Sequence, residues 1–81
     1  MNIRVRLFSM ARELAKISEL ELNMNDGAQA HDIYEYLAGY NEAFMDYAGA
    51  FRLAVNDEYV DADRRLQEGD EVAVIPPVSG G

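Results

Sequence analysis

The sequence of 81 residues contains no cysteine and a single histidine, and these shortages exclude several classes of chemistry. Without thiols there can be no disulfide, no thiolate zinc site, no cysteine-bound iron–sulfur cluster and no cysteine nucleophile. The one imidazole, His31, has no second histidine with which to share a metal ion, so it is interpreted as a solvated surface residue. We therefore expect no metal site in this chain.

Basic residues are also scarce. Seven lysines and arginines stand against 15 acidic residues, which gives a formal net charge of −8. Such a surface repels phosphate backbones and anionic lipid headgroups, so we expect neither nucleic acid nor a membrane as a partner. A basic protein surface would complement this charge, although the charge would equally serve only to keep a small domain soluble.

The sequence has no long apolar run. Its first eight residues, "MNIRVRLF", alternate apolar and polar side chains and lack the continuous apolar core of a signal peptide. No other stretch is long enough to span a bilayer as a helix. We therefore expect a cytoplasmic protein.

Motifs for catalysis and nucleotide binding are missing as well. The glycines form neither a GxGxxG nor a GxxxxGK pattern, so no phosphate-binding loop is predicted. The serines have no candidate base at a recognisable spacing, which leaves serine catalysis without support. An enzyme acting with its own side chains is therefore not indicated.

Period-two alternation predicts strands, and helical spacing predicts two helices. A short helix is expected after the first strand, with Ser9 as its N-cap, and a main helix over residues 28–40. Residues 41–50 fit either a further helical turn or a loop. The predicted strands cover residues 2–8, 19–24 and 51–56, a short segment ending near Val60, and residues 71–76.

This order of elements predicts an α+β fold. The first and last strands each bury alternate residues and suit neighbouring central positions in a mixed sheet, while one main helix can cover only one face of that sheet. The arrangement is that of a ubiquitin-like β-grasp, with a short extra helix after strand one. We expect residues 1–75 to form the domain and residues 76–81 to form an extended C-terminal tail.

The last residues, "VIPPVSGG", have a composition suited to an extended segment that enters a narrow binding site. The two prolines fix φ and favour an extended path away from the sheet, and the two final residues have no side chains, so they would fit a tunnel too narrow for a Cβ. A terminal Gly-Gly alone is weak support, because a truncation or a cloning scar would also produce it. The predicted tail consists of Pro76, Pro77, Val78, Ser79, Gly80 and Gly81.

The chemistry of such a tail resides in its terminal carboxylate. A carboxylate becomes a good electrophile only after its oxygen is converted to a leaving group, which an external ATP-dependent enzyme would do by adenylation. The acyl-adenylate at Gly81 would then accept sulfur, giving a thiocarboxylate, or an amine, giving an isopeptide. In both cases another protein supplies the catalytic site.

An apolar patch is expected beside the tail. Phe8 and Ile75 lie at the ends of the first and last strands, each on the outward side, so parallel pairing of these strands would bring them together. Val60 is a candidate third member. Such a patch is what a partner protein would bind, although scattered surface hydrophobic residues are common.

Two segments resemble a known family. The segments "VRLFSMAREL" (5–14) and "AVNDEYVDADRRLQEGDEVAVIPPVSGG" (54–81), with the strand order between them, are similar to the small subunits of molybdopterin synthase. The resemblance covers nearly the whole chain, and "GDEVAVIPPVSGG" is its most specific part.

The resemblance implies a β-grasp sulfur carrier. It implies that Gly81 carries the thiocarboxylate, that residues 76–80 enter the active site of the large subunit, and that Phe8, Val60 and Ile75 contact that subunit. An adenylating enzyme would charge Gly81 with ATP, and a sulfur transferase would supply the sulfur. The large subunit would then catalyse conversion of cyclic pyranopterin monophosphate to the dithiolene of molybdopterin, and the small chain would bind no cofactor itself.

Three alternatives remain at this point. The sulfur carrier of thiamine synthesis shares the fold and the Gly-Gly end. A ubiquitin-like modifier would join the same terminus to lysines of other proteins. A non-covalent β-grasp interaction module would make the terminal glycines incidental.

Overall fold

The computed structural model describes residues 1–77. The tail residues Val78, Ser79, Gly80 and Gly81 lie outside the described residues. Within the described part a mixed sheet of five strands packs against short helices, which confirms the predicted α+β class. The strands are β1 (Asn2–Leu7), β2 (Glu19–Asn23), β3 (Arg52–Val55), β4 (Glu58–Val60) and β5 (Glu71–Ile75). The α-helices are α1 (Ser9–Ala15), α2 (Ile33–Leu37) and α3 (Ala43–Tyr47).

The sheet has the strand order β2-β1-β5-β3-β4. Strands β1 and β5 are parallel neighbours at its centre, and the other pairs are antiparallel. The predicted neighbouring positions of the first and last strands are therefore confirmed. Since Pro76 follows β5 directly, the predicted tail would begin at the middle of the sheet.

One face of the sheet forms the core. The alternate residues of β1 show the pattern most simply, because Ile3, Val5 and Leu7 are buried while Arg4 and Arg6 are exposed. Val72 and Val74 of β5 are fully buried on the same face, as the alternation predicts. The polar segment before β5 contributes Leu66, the one large apolar residue in it and also buried.

The helical layer differs from the predicted main helix over residues 28–40. A 3₁₀ turn (Ala30–Asp32) leads into α2, and the ambiguous segment forms α3 followed by a second 3₁₀ turn (Ala48–Ala50). The Oδ1 atom of Asn41 accepts a hydrogen bond of 2.9 Å from the backbone N–H of Ala43, which favours the start of a new helix there. A Cβ at Gly39 would lie 3.2 Å from the carbonyl oxygen of Tyr36, so a glycine suits the break between the two helices.

The predicted N-cap of α1 is wrong by one residue. Phe8 occupies the N-cap position with an extended backbone, and its side chain makes no capping hydrogen bond. Ser9 is instead the first helical residue, with a φ of 46°. The helix forms without side-chain capping because Ala11 and Ala15 pack its inner face into the core.

Among residues 1–77 no helix has both the length and the apolar character needed to cross a membrane.

Candidate partner-binding face

The side of the sheet that faces away from the helices, here called the outer face, is the candidate functional surface. It is built by the strand residues that alternate with the core. Cα partners form one continuous row across four strands, from Arg6 through Ala73 and Ala54 to Tyr59. The middle of this row is made of two alanines, so the larger side chains around them protrude further from the sheet.

Phe8 and Ile75 come together on the outer face, as the sequence predicts. Leu7 pairs with Val74 in the parallel β1–β5 ladder, and Phe8 and Ile75 are the next residues of the two strands' paths. Phe8 is 38% exposed and Ile75 is half-buried. The pair lies at the end of the sheet where the chain leaves β5.

Val60 does not join this pair. It is the Cα partner of Leu53, which points into the core, and directly paired residues of antiparallel strands share a face. Val60 is accordingly half-buried against the core, on the helix side of the edge strand β4. The expected patch of Phe8, Val60 and Ile75 is therefore wrong in its third member.

Tyr59 stands on the outer face instead. It is the Cα partner of Ala54 and is 57% exposed, the highest value among the large apolar and aromatic side chains of the described residues. The sequence did contain the signal, because a two-residue turn at Asn56-Asp57 fixes the hairpin register and pairs residue 59 with residue 54. Phe8, Ile75 and Tyr59 are hereafter called the outer patch.

Two arginines stand beside the aromatic rings of the outer patch. The Cζ atom of Arg6 lies 5.3 Å from the ring centroid of Phe8, and that of Arg52 lies 4.0 Å from the ring centroid of Tyr59. Both distances are within the range of cation–π contacts. The outer patch thus combines apolar and aromatic side chains with two adjacent guanidinium groups, a composition typical of protein-binding surfaces.

The base of the predicted tail continues from the outer patch. Pro76 is half-buried and Pro77 is exposed, so the chain emerges from the sheet over these two residues. Neither proline has an N–H to donate, which ends the hydrogen-bonded ladder at Ile75. The boundary of the domain at residue 75 remains a prediction, and so do the roles of Gly81 and the residues before it.

The single histidine and the acidic residues of the described part form no candidate metal site. His31 is exposed, and one of its ring nitrogens lies 2.9 Å from the side-chain oxygen of Gln29. Residues 1–77 contain no group of three or more histidine, aspartate or glutamate side chains that could hold a metal ion.

Comparisons with known proteins find similarity to the ThiS family and to sulfur carrier subunits of molybdopterin synthase. A model described as the ThiS family matches residues 5–81. The chain is 36% identical over 83 residues to a molybdopterin synthase sulfur carrier subunit from Chlamydomonas reinhardtii, with 100% of each chain covered.

Solved structures show the same fold. SAMP1, a small archaeal modifier protein from Haloferax volcanii, superposes with a TM-score of 0.84 at 25% identity over 100% of both chains. A chain from the complex of subunits 1 and 2 of the molybdopterin-converting factor of Helicobacter pylori superposes with a TM-score of 0.70 at 26% identity, again over 100% of both chains. These neighbours support the ubiquitin-like β-grasp assignment.

Proposed function

The chain belongs to the ThiS family, and on this premise we propose that it is the sulfur carrier subunit of a molybdopterin synthase. The carboxylate of Gly81 would attack the α-phosphate of ATP in an adenylating enzyme, and pyrophosphate would leave. The terminal sulfur of a persulfide on the transferase would then displace AMP, and a thiol would reduce the resulting acyl disulfide to the thiocarboxylate, with formation of a disulfide. The charged chain would dock on the large subunit and donate this sulfur to cyclic pyranopterin monophosphate.

The observation that carries the proposal is the position of the outer patch. Phe8 and Ile75 lie at the point where β5 passes into Pro76 and Pro77, so a partner bound to the patch would receive the tail that follows. Binding energy from the patch would hold residues 78–81 near the partner's active site and lower the entropic cost of bringing the terminal atom there. The large subunit would supply the catalytic groups.

The covalent state of Gly81 tests this function directly. We expect incubation with the cognate adenylating enzyme, ATP and a sulfur transferase to raise the intact mass by the difference between one sulfur and one oxygen atom. Fragmentation should place that change on Gly81, and a chain lacking Gly81 serves as the control. An unchanged mass, with an adenylating enzyme that is active on a known carrier, would refute the proposal.

A protein modifier is the second candidate, favoured by the full-length superposition with the modifier protein of Haloferax volcanii. The same acyl-adenylate would then react with a lysine amine of a target protein. Intact mass from native cells separates the two candidates, because a thiocarboxylate and an isopeptide conjugate differ in mass. Conjugates without any thiocarboxylate would favour the modifier.

A further inference from the structure

Arg52 and Tyr59 form the closest cation–π contact described in the chain. The Arg52 Cζ atom lies 4.0 Å from the centroid of the Tyr59 ring, a distance at which a guanidinium contacts the ring surface. Arg52 begins β3 and is paired with Ile75, while Tyr59 belongs to the edge strand β4. The contact therefore joins Arg52 to one residue of the outer patch, Tyr59, and lies next to another, Ile75, at the base of the predicted tail.

The Arg52 guanidinium differs in its partners from the other two arginines of the outer face. Arg4 and Arg6 each lie within 4.0 Å of at least one glutamate oxygen, at distances of 3.4 Å and 3.7 Å, respectively, for the shortest contact. Within residues 1–77 no carboxylate lies within 4.0 Å of a nitrogen of Arg52. A guanidinium that contacts a ring still has N–H donors at its edge, and these can bind a planar carboxylate in two-pronged geometry.

The contact with the ring also orders the arginine before any partner arrives. A free arginine side chain loses up to about 2 kcal/mol of rotamer entropy when it is fixed, and a preformed contact reduces this loss on binding. Tyrosine and arginine are also the residue types in which binding energy concentrates at interfaces. Arg52 is thus prepared to bind an anionic group.

We propose that Arg52, held by Tyr59, binds a carboxylate of the large subunit, a step that rests on the function proposed above. The occupant is an aspartate or glutamate side chain set in an apolar surface, because Arg52 lies between Ile75, its Cα partner on β5, and the Tyr59 ring of β4. The chain as a whole has a net charge of −8, so a cationic contact at this point reverses the prevailing sign. Such a local reversal fixes the orientation of the partner and rejects surfaces that are basic throughout.

Binding measurements with the cognate large subunit test the proposal. We expect Arg52→Ala to raise Kd roughly 10- to 100-fold, the range for losing hydrogen bonds to a charged group. Arg52→Lys should recover only part of this loss, because an ammonium lacks the planar fork. Arg65→Ala, which removes the same charge from an exposed arginine that belongs to none of the five strands, is the control and should leave Kd within roughly threefold.

The ring contact is tested by a double-mutant cycle. Tyr59→Leu keeps an apolar side chain but removes the ring, so it should lose most of the affinity that Arg52→Ala loses. The double variant should then bind only slightly more weakly than either single variant, because each removes the same interaction. Fully additive losses would show that the ring does not prepare the arginine and would overturn that part of the proposal.

Carboxyl-group labelling of the large subunit with carbodiimide and glycine ethyl ester identifies the occupant. One aspartate or glutamate should be protected in the wild-type complex and labelled in the Arg52→Ala complex. A wild-type complex with no such residue, or an Arg52→Ala variant that binds like wild type, would overturn the inference alone. If the wild-type chain bound no large subunit and gained no thiocarboxylate, the proposed function itself would fail.

Discussion

Tyr34 buries a hydroxyl group in the core without a hydrogen bond to any described residue, which costs stability. The side chain is 5% exposed, and its hydroxyl has no hydrogen-bond partner among residues 1–77. Its ring packs on Phe51, with 6.3 Å between ring centroids, so the aromatic surface rather than the hydroxyl holds it in place. Burial raises the pKa of Tyr34 from 10.0 to about 12 because the phenolate would lose its hydration.

This pKa shift predicts a loss of stability in alkaline solution. The folded state holds the Tyr34 proton more tightly than the unfolded state. The stability that this difference gives the folded state is therefore fully present below pH 10 and is lost as the pH rises through about 12. At roughly 1.4 kcal/mol per pKa unit, the free energy of unfolding should fall by about 3 kcal/mol over this interval. Urea unfolding at a series of pH values measures the fall.

Tyr34→Phe isolates that contribution. The variant should show a flatter dependence on pH above 10 and, at neutral pH, a stability equal to wild type or higher by about 1 kcal/mol, since it buries no unpaired hydroxyl. Tyr36→Phe, on the same helix but 38% exposed at the tyrosine, is the control and should retain the wild-type pH dependence. A marked destabilisation of Tyr34→Phe at neutral pH would show that the hydroxyl does find a partner.

At the scale of elements, the β3–β4 hairpin shows how a short turn sets the functional surface. Val55 pairs with Glu58 across a two-residue turn in which Asn56 and Asp57 have φ values of 50° and 71°. Both residues are in the left-handed region, as a type I′ turn requires. This turn determines that Tyr59, rather than Val60, faces outward.

Asp57→Gly should therefore stabilise the domain by about 0.5–1 kcal/mol, because glycine adopts a positive φ without steric cost. Asn56→Gly should have the opposite effect, with a loss of about 1–2 kcal/mol. The Asn56 side chain donates to Asp70 Oδ1 at 3.0 Å and accepts from the Glu71 N–H at 3.1 Å, and glycine removes both bonds. Urea unfolding of the two variants measures the contrast, and equal effects would contradict it.

The elements also show what the sequence could and could not predict. The strands were predictable because alternation is a local property, and the pairing of β1 with β5 followed from the burial of both. The break between α2 and α3 was not, since Ile33, Leu37 and Phe44 keep apolar spacing through a glycine and an asparagine that end one helix and start another. The sequence pattern places Val60 on the wrong face, because alternation in so short a strand does not give the register that the turn imposes.

At the scale of the whole molecule, folding and the proposed chemistry are assigned to different parts of the chain. The buried core residues lie between Ile3 and Val74, while the reacting atom would be on Gly81. A deletion of residues 78–81 should therefore leave the free energy of unfolding within about 0.5 kcal/mol of wild type, the usual range for surface changes. The same deletion should abolish thiocarboxylate formation.

Val74→Ala provides the contrasting variant. Val74 is fully buried at the centre of the sheet, and its truncation should lower stability by about 2 kcal/mol while Gly81 remains chargeable. Thermal unfolding and intact mass, measured on both variants, separate the two effects. A large loss of stability on deleting residues 78–81 would assign the tail a structural role.

The parallel pairing of β1 with β5 has a consequence for synthesis of the protein. Strand β1 is synthesised before the other four strands, but β5, which pairs with it at the centre of the sheet, is synthesised after all of them. The sheet cannot be completed until β5 has been synthesised. The pairing of β1 with β5 then closes a long loop, which is slow compared with the formation of local contacts. A chain interrupted before β5 lacks Ile75 of the outer patch, and it also lacks Gly81. If the proposed function holds, only a chain synthesised through Gly81 could be charged, so truncated products would be excluded from sulfur transfer.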